Sequence, residues 1–157
     1  YVNFSPDSEA SKLALSMVSE DTSDIDALKQ IYNYVVNNLS YDYDKAETVE
    51  TGYLPDVDET LSTKTGICFD YAALTTAMLR SCDIPCKLQI GYTGDIKHAW
   101  IDVYIRSKGW VTNAVSFNGD SWSLMDPTFD SSADSDDSEA IQDYIGNADN
   151  YTVQFTR

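Results

Sequence analysis

The hydrophobic period of the chain changes at Pro85, and no other feature of the sequence constrains the fold as strongly. Before Pro85, apolar residues of 24–39 and of 68–80 recur at steps of three and four, which places them on one face of a helix. After Pro85, apolar and polar residues alternate as they do in strands, over the segments 87–92, 99–105 and 110–115. Because these strands follow one another without helices between them, we predict an α+β fold with an antiparallel sheet.

The remaining helical half is less clearly patterned. Residues 8–19 are consistent with either a helix or an extended segment. Ser23 or Asp24 is suited to cap the helix over 24–39, since its side-chain oxygen can accept from a free backbone N–H. The polar segment 44–65 contains a glycine and a proline and is predicted to be a long loop.

Turn residues divide the second half of the chain. An Asn-Gly pair at 118–119 is a strong hairpin signal, and a fourth strand is predicted to follow it over 121–125. A short helix is predicted over 141–145, where Gly146 ends it, and a last strand over 151–155.

The charge of the chain excludes two classes of partner. It carries 26 Asp and Glu against 10 Lys and Arg, a formal net charge of −16. Nucleic acids and anionic membrane surfaces bind clusters of Lys and Arg, and the sequence contains none. No apolar run approaches the roughly 18 residues of a transmembrane helix, so membrane insertion is not expected.

The length of 157 residues predicts a single domain over 1–157.

Cys68 is the candidate nucleophile of the chain. It opens the helix predicted over 68–80, where the positive end of the helix dipole stabilises a thiolate and lowers the pKa of the thiol. Its own backbone N–H is free at that position and can donate to a developing oxyanion. The alternative is a small buried hydrophobic residue, which is a common role for cysteine.

His98 and Asp126 are the partners that such a nucleophile would use. His98 is the only histidine of the chain and lies on a predicted strand. Asp126 ends another predicted strand, where its carboxylate can orient the imidazole. The alternatives are a structural histidine and a carboxylate that accepts turn N–H groups. The cysteines and the histidine lack the spacing of a zinc site. The proposed chemistry implies neither a metal nor an organic cofactor.

Four motifs in register resemble the transglutaminase-like superfamily over about residues 24–130. They are Gly66-Ile67-Cys68-Phe69-Asp70-Tyr71-Ala72, then Asp83-Ile84-Pro85 with Gly91-Tyr92, then His98-Ala99-Trp100, and finally Trp122-Ser123-Leu124-Met125-Asp126-Pro127-Thr128. The resemblance implies a papain-like core, in which the Cys-bearing helix packs on an antiparallel sheet that carries His and Asp. It assigns Cys68 as nucleophile, His98 as general base and acid, and Asp126 as orienting carboxylate.

The resemblance also implies a second oxyanion donor from upstream of the cysteine, often an aromatic or amide side chain. Tyr41 and Tyr43 are the candidates, and simple packing is their alternative. Trp100, beside His98, is expected to pack against the site or screen it rather than to react.

Cys82 and Cys86 depart from the superfamily pattern, in which small residues are usual at these positions. They are near enough in sequence for a disulfide in an oxidising compartment, and two ordinary small residues are the alternative. The segment 106–121 is longer than the minimal family hairpin and resembles a subgroup from secreted proteins of Gram-positive anaerobes. That analogy implies an extracellular or cell-surface location. The chain begins at Tyr1 without a signal peptide, which we interpret as a mature or trimmed chain.

The acidic segment 130–139 could be interpreted as a calcium-binding loop, because it is rich in carboxylates. It lacks the glycine and the spacing of an EF-hand, so a solvated charged loop is favoured.

Together these features predict a thiol acyl-transfer enzyme that acts on peptide or carboxamide bonds, either a cysteine protease or amidase or a transglutaminase. Its partner would be a protein or peptide substrate, and the acidic surface favours basic peptides by steering. The alternative is a non-catalytic transglutaminase-like module that uses its cleft for binding at the cell surface.

Overall fold

Helices occupy the first half of the chain and strands the second in the computed structural model, which describes residues 1–117, 122–124 and 151–157. The helices are α1 (Glu9–Met17), α2 (Asp24–Asn38), α3 (Tyr43–Thr48), α4 (Val57–Thr63) and α5 (Cys68–Ser81). The strands are β1 (Ser40–Tyr41), β2 (Thr65–Gly66), β3 (Cys86–Thr93), β4 (Ile96–Ile105), β5 (Gly109–Phe117), β6 (Trp122–Leu124) and β7 (Tyr151–Thr156).

The longer helices form where the apolar spacing predicts them, as α2 and α5. The segment 8–19, for which the sequence leaves two possibilities, forms the helix α1. Of the two candidate caps of α2, Ser23 is the one observed, since its hydroxyl accepts from the backbone N–H of Asp26 at 3.1 Å. Asp24 is instead the first residue of the helix.

The prediction of a long loop over 44–65 is wrong, because this segment holds most of α3, all of α4 and the first residue of the strand β2. Both helices begin at a carboxylate. Asp42 accepts from the backbone N–H of Lys45 at 2.8 Å, and Asp56 accepts from two N–H groups in the first turn of α4 at 3.0 Å. A helix of six or seven residues shows no complete apolar stripe, so its periodicity is not visible in a polar sequence.

The strands after Pro85 form an antiparallel sheet, which confirms the predicted α+β fold. Their order is β6-β5-β4-β3-β7, and each neighbouring pair is antiparallel. The two short strands β1 and β2 pair separately and in parallel, with Tyr41 opposite Gly66. Four sequence predictions lie outside the described residues: the turn at 118–119, the site carboxylate Asp126, the acidic loop over 130–139, and the helix over 141–145 with Gly146.

The helix α5 is the centre of the hydrophobic core. Its residues are buried from Asp70 to Leu79, and it packs against β3 and β4 on one side and against α1, α2 and α4 on the other. The β4 side chains that join this core alternate along the strand and are Ala99, Ile101, Val103 and Ile105. By the period of two, the opposite face of β4 carries His98, Trp100 and Asp102.

An ion pair joins the start of α2 to the turn that follows β4. The buried Asp24 accepts from the backbone N–H of Arg106 at 2.8 Å and from its Nε and Nη2 at 2.9 and 2.5 Å. These hydrogen bonds hold the pKa of the Asp24 carboxyl below its usual value, although burial opposes the shift. The pair therefore fixes one helix end to the sheet.

Candidate active site

Cys68 is the first residue of α5, so the start of this helix decides where the sulfur lies. The preceding residue, Ile67, is extended, and its backbone N–H donates to the Asp70 carboxylate at 2.8 Å. This hydrogen bond satisfies one of the donors that a helix start leaves unpaired. The N-terminal end of α5 is thus fixed by a residue of its own first turn, two positions after the candidate nucleophile.

The sulfur of Cys68 lies against strand β4. The backbone N–H of Ala99 makes a hydrogen bond with it, as does the N–H of Phe69 in the first turn of α5. Ala99 directly follows His98, so the fold brings Cys68 to the part of β4 that carries the histidine. The predicted hydrogen bond between Cys68 and His98 stays a prediction.

The expected low pKa of the Cys68 thiol is wrong. Burial of the sulfur is the dominant influence and raises the pKa, whereas the N–H groups of Ala99 and Phe69 lower it by less. The helix end does favour the thiolate, as the sequence predicts, but a sulfur enclosed by protein loses more hydration than these dipoles replace. At rest the group is a neutral thiol.

His98 is buried as well, with 8% of its surface exposed. Burial lowers the pKa of the imidazole to about 4, so the ring is neutral at pH 7. It lies on the face of β4 opposite the core, paired across the sheet with Gly91. A neutral imidazole is the protonation state that a general base requires.

Trp100 packs beside this histidine. Its ring is stacked on that of His98 with 6.2 Å between centroids, and it contacts the Tyr151 ring at 5.1 Å. Gly91 makes room for this packing, because a Cβ there would lie 1.9 Å from the carbonyl oxygen of Thr152 and 3.0 Å from the Trp100 ring. The expectation that Trp100 packs against the site or screens it is in keeping with this geometry.

Tyr41 is brought to Cys68 by the pairing of β1 with β2. Its hydroxyl makes a hydrogen bond with the backbone N–H of Cys68, and burial raises the pKa of the phenol to about 12. Its ring packs 6.4 Å from that of Tyr71 and 5.0 Å from that of Tyr43. Tyr43, the other candidate donor, is 58% exposed. The two predicted tyrosines therefore lie together, with the Tyr41 hydroxyl at the cysteine.

The third predicted site residue, Asp126, lies outside the described residues. Asp102, the other carboxylate near His98 in sequence, is buried on the same face of β4. It accepts from the Gln89 side chain at 2.7 Å, and Gln89 in turn accepts from the Thr156 hydroxyl at 2.6 Å. These bonds join β4, β3 and β7.

A charged cluster beside Cys68 is not predicted by the sequence. Asp70 is fully buried and accepts from Lys45 Nζ at 2.8 Å and from the Tyr53 hydroxyl at 2.5 Å. An open polar cleft of about 300 Å³ lies beside the cluster, and Lys45 and Tyr53 form part of its wall. Its lining residues are Asp42, Lys45, Tyr53, Glu59, Thr60, Thr63 and Thr65. Asp70 is the one member of the cluster that falls in a motif of the sequence. Its partners Lys45 and Tyr53 lie in the segment predicted to be a loop.

The possible disulfide between Cys82 and Cys86 is not formed. All three cysteines are free thiols, and Cys86 is buried with its sulfur donating to the carbonyl oxygen of Thr76 at 3.6 Å. Burial raises the pKa of Cys86 to about 11, which makes this thiol unreactive at neutral pH. Cys86 is thus an ordinary small residue, the alternative that the sequence allows, and it is buried in the core.

Neither a metal cluster nor a membrane span is found within the described residues. Across 1–117, 122–124 and 151–157, no group of three or more His, Cys, Asp and Glu side chains could hold a metal ion. In the same part of the chain, no helix combines the length and the apolar character that a membrane span requires.

Comparisons with known proteins identify relatives of this chain. The sequence model of the Transglutaminase-like superfamily matches residues 11–127. A UPF0252 protein of Methanocaldococcus jannaschii is 40% identical over 62 residues, which are 36% of this chain and 18% of that protein. The uncharacterised protein YebA of Bacillus subtilis is 28% identical over 120 residues, which are 64% of this chain and 16% of that protein. The chain therefore spans less than a fifth of either curated relative.

Solved structures share the fold at low sequence identity. A candidate protease from Parabacteroides distasonis superposes with a TM-score of 0.54 and 20% identity, over 68% of this chain and 24% of that one. A candidate cysteine protease from Cytophaga hutchinsonii gives a TM-score of 0.53 and 23% identity, over 71% of this chain and 36% of that one. At these identities the likeness is one of fold.

Proposed function

Because the chain belongs to the transglutaminase-like superfamily and has its papain-like α+β core, we propose that it is a thiol acyl-transfer enzyme. Cys68 is the nucleophile, His98 the general base and acid, and Asp126 the carboxylate that orients the imidazole. The substrate is a peptide or carboxamide bond in a protein or peptide. Hydrolysis of the acyl-enzyme makes the protein a protease or amidase, and attack by an amine makes it a cross-linking enzyme.

The observation that carries this proposal is the position of the Cys68 sulfur. It lies at the N-terminal end of α5 and is hydrogen-bonded to the N–H of Ala99, the residue that follows His98. The backbone N–H of the same cysteine meets the Tyr41 hydroxyl. A nucleophile, a base and two oxyanion donors are the groups that acyl transfer needs in one place.

The protonation states define how the first step proceeds. The thiol pKa is raised by burial and the imidazole pKa is lowered to about 4, so the resting pair is neutral. His98 takes the thiol proton as the sulfur attacks the carbonyl carbon, and the carbonyl π electrons move to the oxygen. The imidazolium then gives this proton to the departing amine, which leaves a thioester on Cys68.

Tyr41 and the Cys68 N–H stabilise the negative charge on the oxygen. In the free protein these two groups are bonded to each other, which satisfies the N–H while no substrate is present. A carbonyl oxygen that enters between them accepts from both. Each such donor is worth about 10²–10³ in rate in a well-studied hydrolase, so the two together supply a large part of the catalysis.

We place the protein outside the cell or at the cell surface, by analogy with the secreted subgroup that its 106–121 segment resembles. The free Cys82 and Cys86 do not support an oxidising compartment through a disulfide, so the analogy stands without that argument.

The experiment that tests the proposal is trapping of an acyl-enzyme. The chain is incubated with a library of peptides and glutamine-containing carboxamides, and its intact mass is measured after acid quenching. We expect a mass gain on Cys68, absent from Cys68→Ala and unchanged in Cys82→Ala. A protein whose Cys68 is acylated no faster than Cys82 by any member would be a binding module instead.

A further inference from the structure

We propose that Asp70, held by Lys45 and Tyr53, is a positioning residue that aligns the two oxyanion donors, the Cys68 N–H and the Tyr41 hydroxyl. This inference rests on the proposed function, since it assigns a task within the same site. None of the three residues needs to touch the substrate. Their task is to keep two segments of backbone in register while the charge on the substrate oxygen develops.

The cluster is organised around one buried carboxylate. Asp70 has no exposed surface, and its Oδ2 accepts from both Lys45 Nζ and the backbone N–H of Ile67 at 2.8 Å. Its Oδ1 accepts from the Tyr53 hydroxyl, and Lys45 Nζ also donates to the oxygen of Tyr53 at 2.7 Å. A carboxylate removed from water requires a counter-charge and several donors, and here it has both.

The carboxylate acts directly on the backbone that leads into Cys68. Ile67 is the residue immediately before the cysteine, and its N–H is fixed by Asp70. Gly66 lies under the same side chain, because a Cβ at Gly66 would come within 2.6 Å of the Asp70 Cβ. The orientation of the Cys68 N–H is set by this short stretch, so Asp70 controls the direction in which that donor points.

Lys45 and Tyr53 connect the same carboxylate to the segment that carries Tyr41. The two backbones are already joined by hydrogen bonds on either side of that tyrosine, from Ser40 N–H to Lys64 and from Asp42 N–H to Gly66, both at 2.9 Å. Lys45 lies in α3, the helix that follows Tyr41, and its ion pair with Asp70 adds a further connection. The segments that carry the two oxyanion donors are therefore joined at several points. Two of these connections, from Lys45 and from Tyr53, end on the buried Asp70 side chain.

Such a tie matters for acyl transfer because oxyanion donors act through their geometry. Removal of one donor costs about 10²–10³ in rate, and a donor that is present but misdirected loses part of that benefit. By contrast, a substitution reaction at an alkyl carbon builds no oxyanion. The two kinds of reaction at one thiol therefore separate alignment of the donors from reactivity of the sulfur.

The test compares two probes at Cys68 by intact mass. 4-Nitrophenyl acetate acylates the sulfur through a tetrahedral oxyanion and releases 4-nitrophenolate, whereas iodoacetamide alkylates it by displacement of iodide. The main variant is Tyr53→Phe, which keeps the ring and the Lys45–Asp70 pair and removes two hydrogen bonds, the one to Asp70 and the one from Lys45 Nζ. Lys45→Arg keeps the charge and changes the geometry. Tyr32→Phe is the matched control, because it removes the hydroxyl of another partly buried tyrosine, which lies in α2.

We expect Tyr53→Phe and Lys45→Arg to slow acylation at least about tenfold and to change alkylation by less than about twofold. Tyr32→Phe should change neither rate. If both rates fall together, the cluster acts on the thiol or on folding, and the inference is wrong. It is equally wrong if neither rate falls in Tyr53→Phe. Wild-type protein that is alkylated but never acylated at Cys68 would instead remove the proposed function, and this inference with it.

Discussion

Asp24 and Asp70 are two buried carboxylates in similar positions with different surroundings. Each lies in the first turn of a long helix, α2 or α5, and each is paired with a basic residue from another element. The partner of Asp24 is Arg106, whose side chain is 73% exposed, whereas the partner of Asp70 is Lys45, at 31%. Asp70 also accepts from Tyr53 and from the backbone before Cys68.

The difference shows how the same device serves two purposes. At Asp24 the buried carboxylate meets an exposed arginine, and the pair joins a helix to a turn, far along the chain from Cys68. At Asp70 the charge is enclosed and its hydrogen bonds end on the backbone of the candidate nucleophile. We therefore expect changes at the Asp24 pair to affect stability alone, and changes around Asp70 to affect both stability and acyl transfer.

The largest effect is expected from the nucleophile at the Asp70 end. Cys68→Ala should abolish turnover, because no other group of the proposed mechanism can form the thioester. Cys86→Ala is the matched control, since that thiol is buried in the core and its pKa is raised to about 11. Turnover of a peptide substrate identified by trapping gives the measurement. Activity that persists in Cys68→Ala and disappears in Cys86→Ala would mean that the nucleophile is misassigned.

The next effect concerns which carboxylate serves His98. Asp126→Ala should reduce turnover by up to about 10⁴-fold, as loss of a triad carboxylate does in a well-studied serine protease. The imidazole would then lose the carboxylate that we propose selects its tautomer.

Asp102→Ala is the control for that variant. Asp102 is bonded to Gln89 at 2.7 Å, so its loss should lower stability and leave turnover within about an order of magnitude of wild type. Steady-state kinetics and thermal unfolding of both variants make the comparison. An inactive Asp102→Ala with an active Asp126→Ala would overturn the assignment.

Long periodic segments were predictable, and contacts between distant segments were not. The helices α2 and α5 and the strands β3, β4 and β5 follow from periods of three to four and of two. The helices α3 and α4 have no such signature, because each has six or seven residues and starts at a polar cap. Hydrophobic pattern reports burial along a whole element, so elements of one or two turns carry too little of it.

The candidate site shows the same division. Cys68 and His98 are visible as residue types with a helix start and a strand around them. The sign of the Cys68 pKa shift was not predictable, because it depends on how much protein encloses the sulfur. The partners of Asp70 were not predictable either, since a buried ion pair is specified by tertiary packing rather than by sequence spacing.

Removal of each carboxylate in turn should separate the two regions by stability. Asp70→Ala leaves Lys45 without its buried counter-ion and the Ile67 N–H without an acceptor, for a loss of about 3–5 kcal/mol in unfolding free energy. Asp24→Ala leaves an arginine that water already solvates, so its loss should be less than about half as large. Chemical denaturation of the two variants measures both. Equal losses would mean that exposure of the partner does not decide the cost.

The smallest effect is a dependence on pH, and it should appear at opposite ends of the scale for the two pairs. Arg106 lowers the pKa of folded Asp24, so that pair stabilises the protein above the unfolded pKa of about 3.9 and loses this contribution as the pH falls through the folded value. Burial opposes protonation of Lys45, but its bonds to Asp70 and Tyr53 outweigh burial and raise the pKa, so its contribution is complete below about 10.4 and is lost as the pH rises further. The stability difference between wild type and Asp24→Asn should therefore shrink below about pH 4, and that between wild type and Lys45→Met above about pH 10.4. Differences that stay constant across both ranges would show that neither pair is coupled to titration in the folded state.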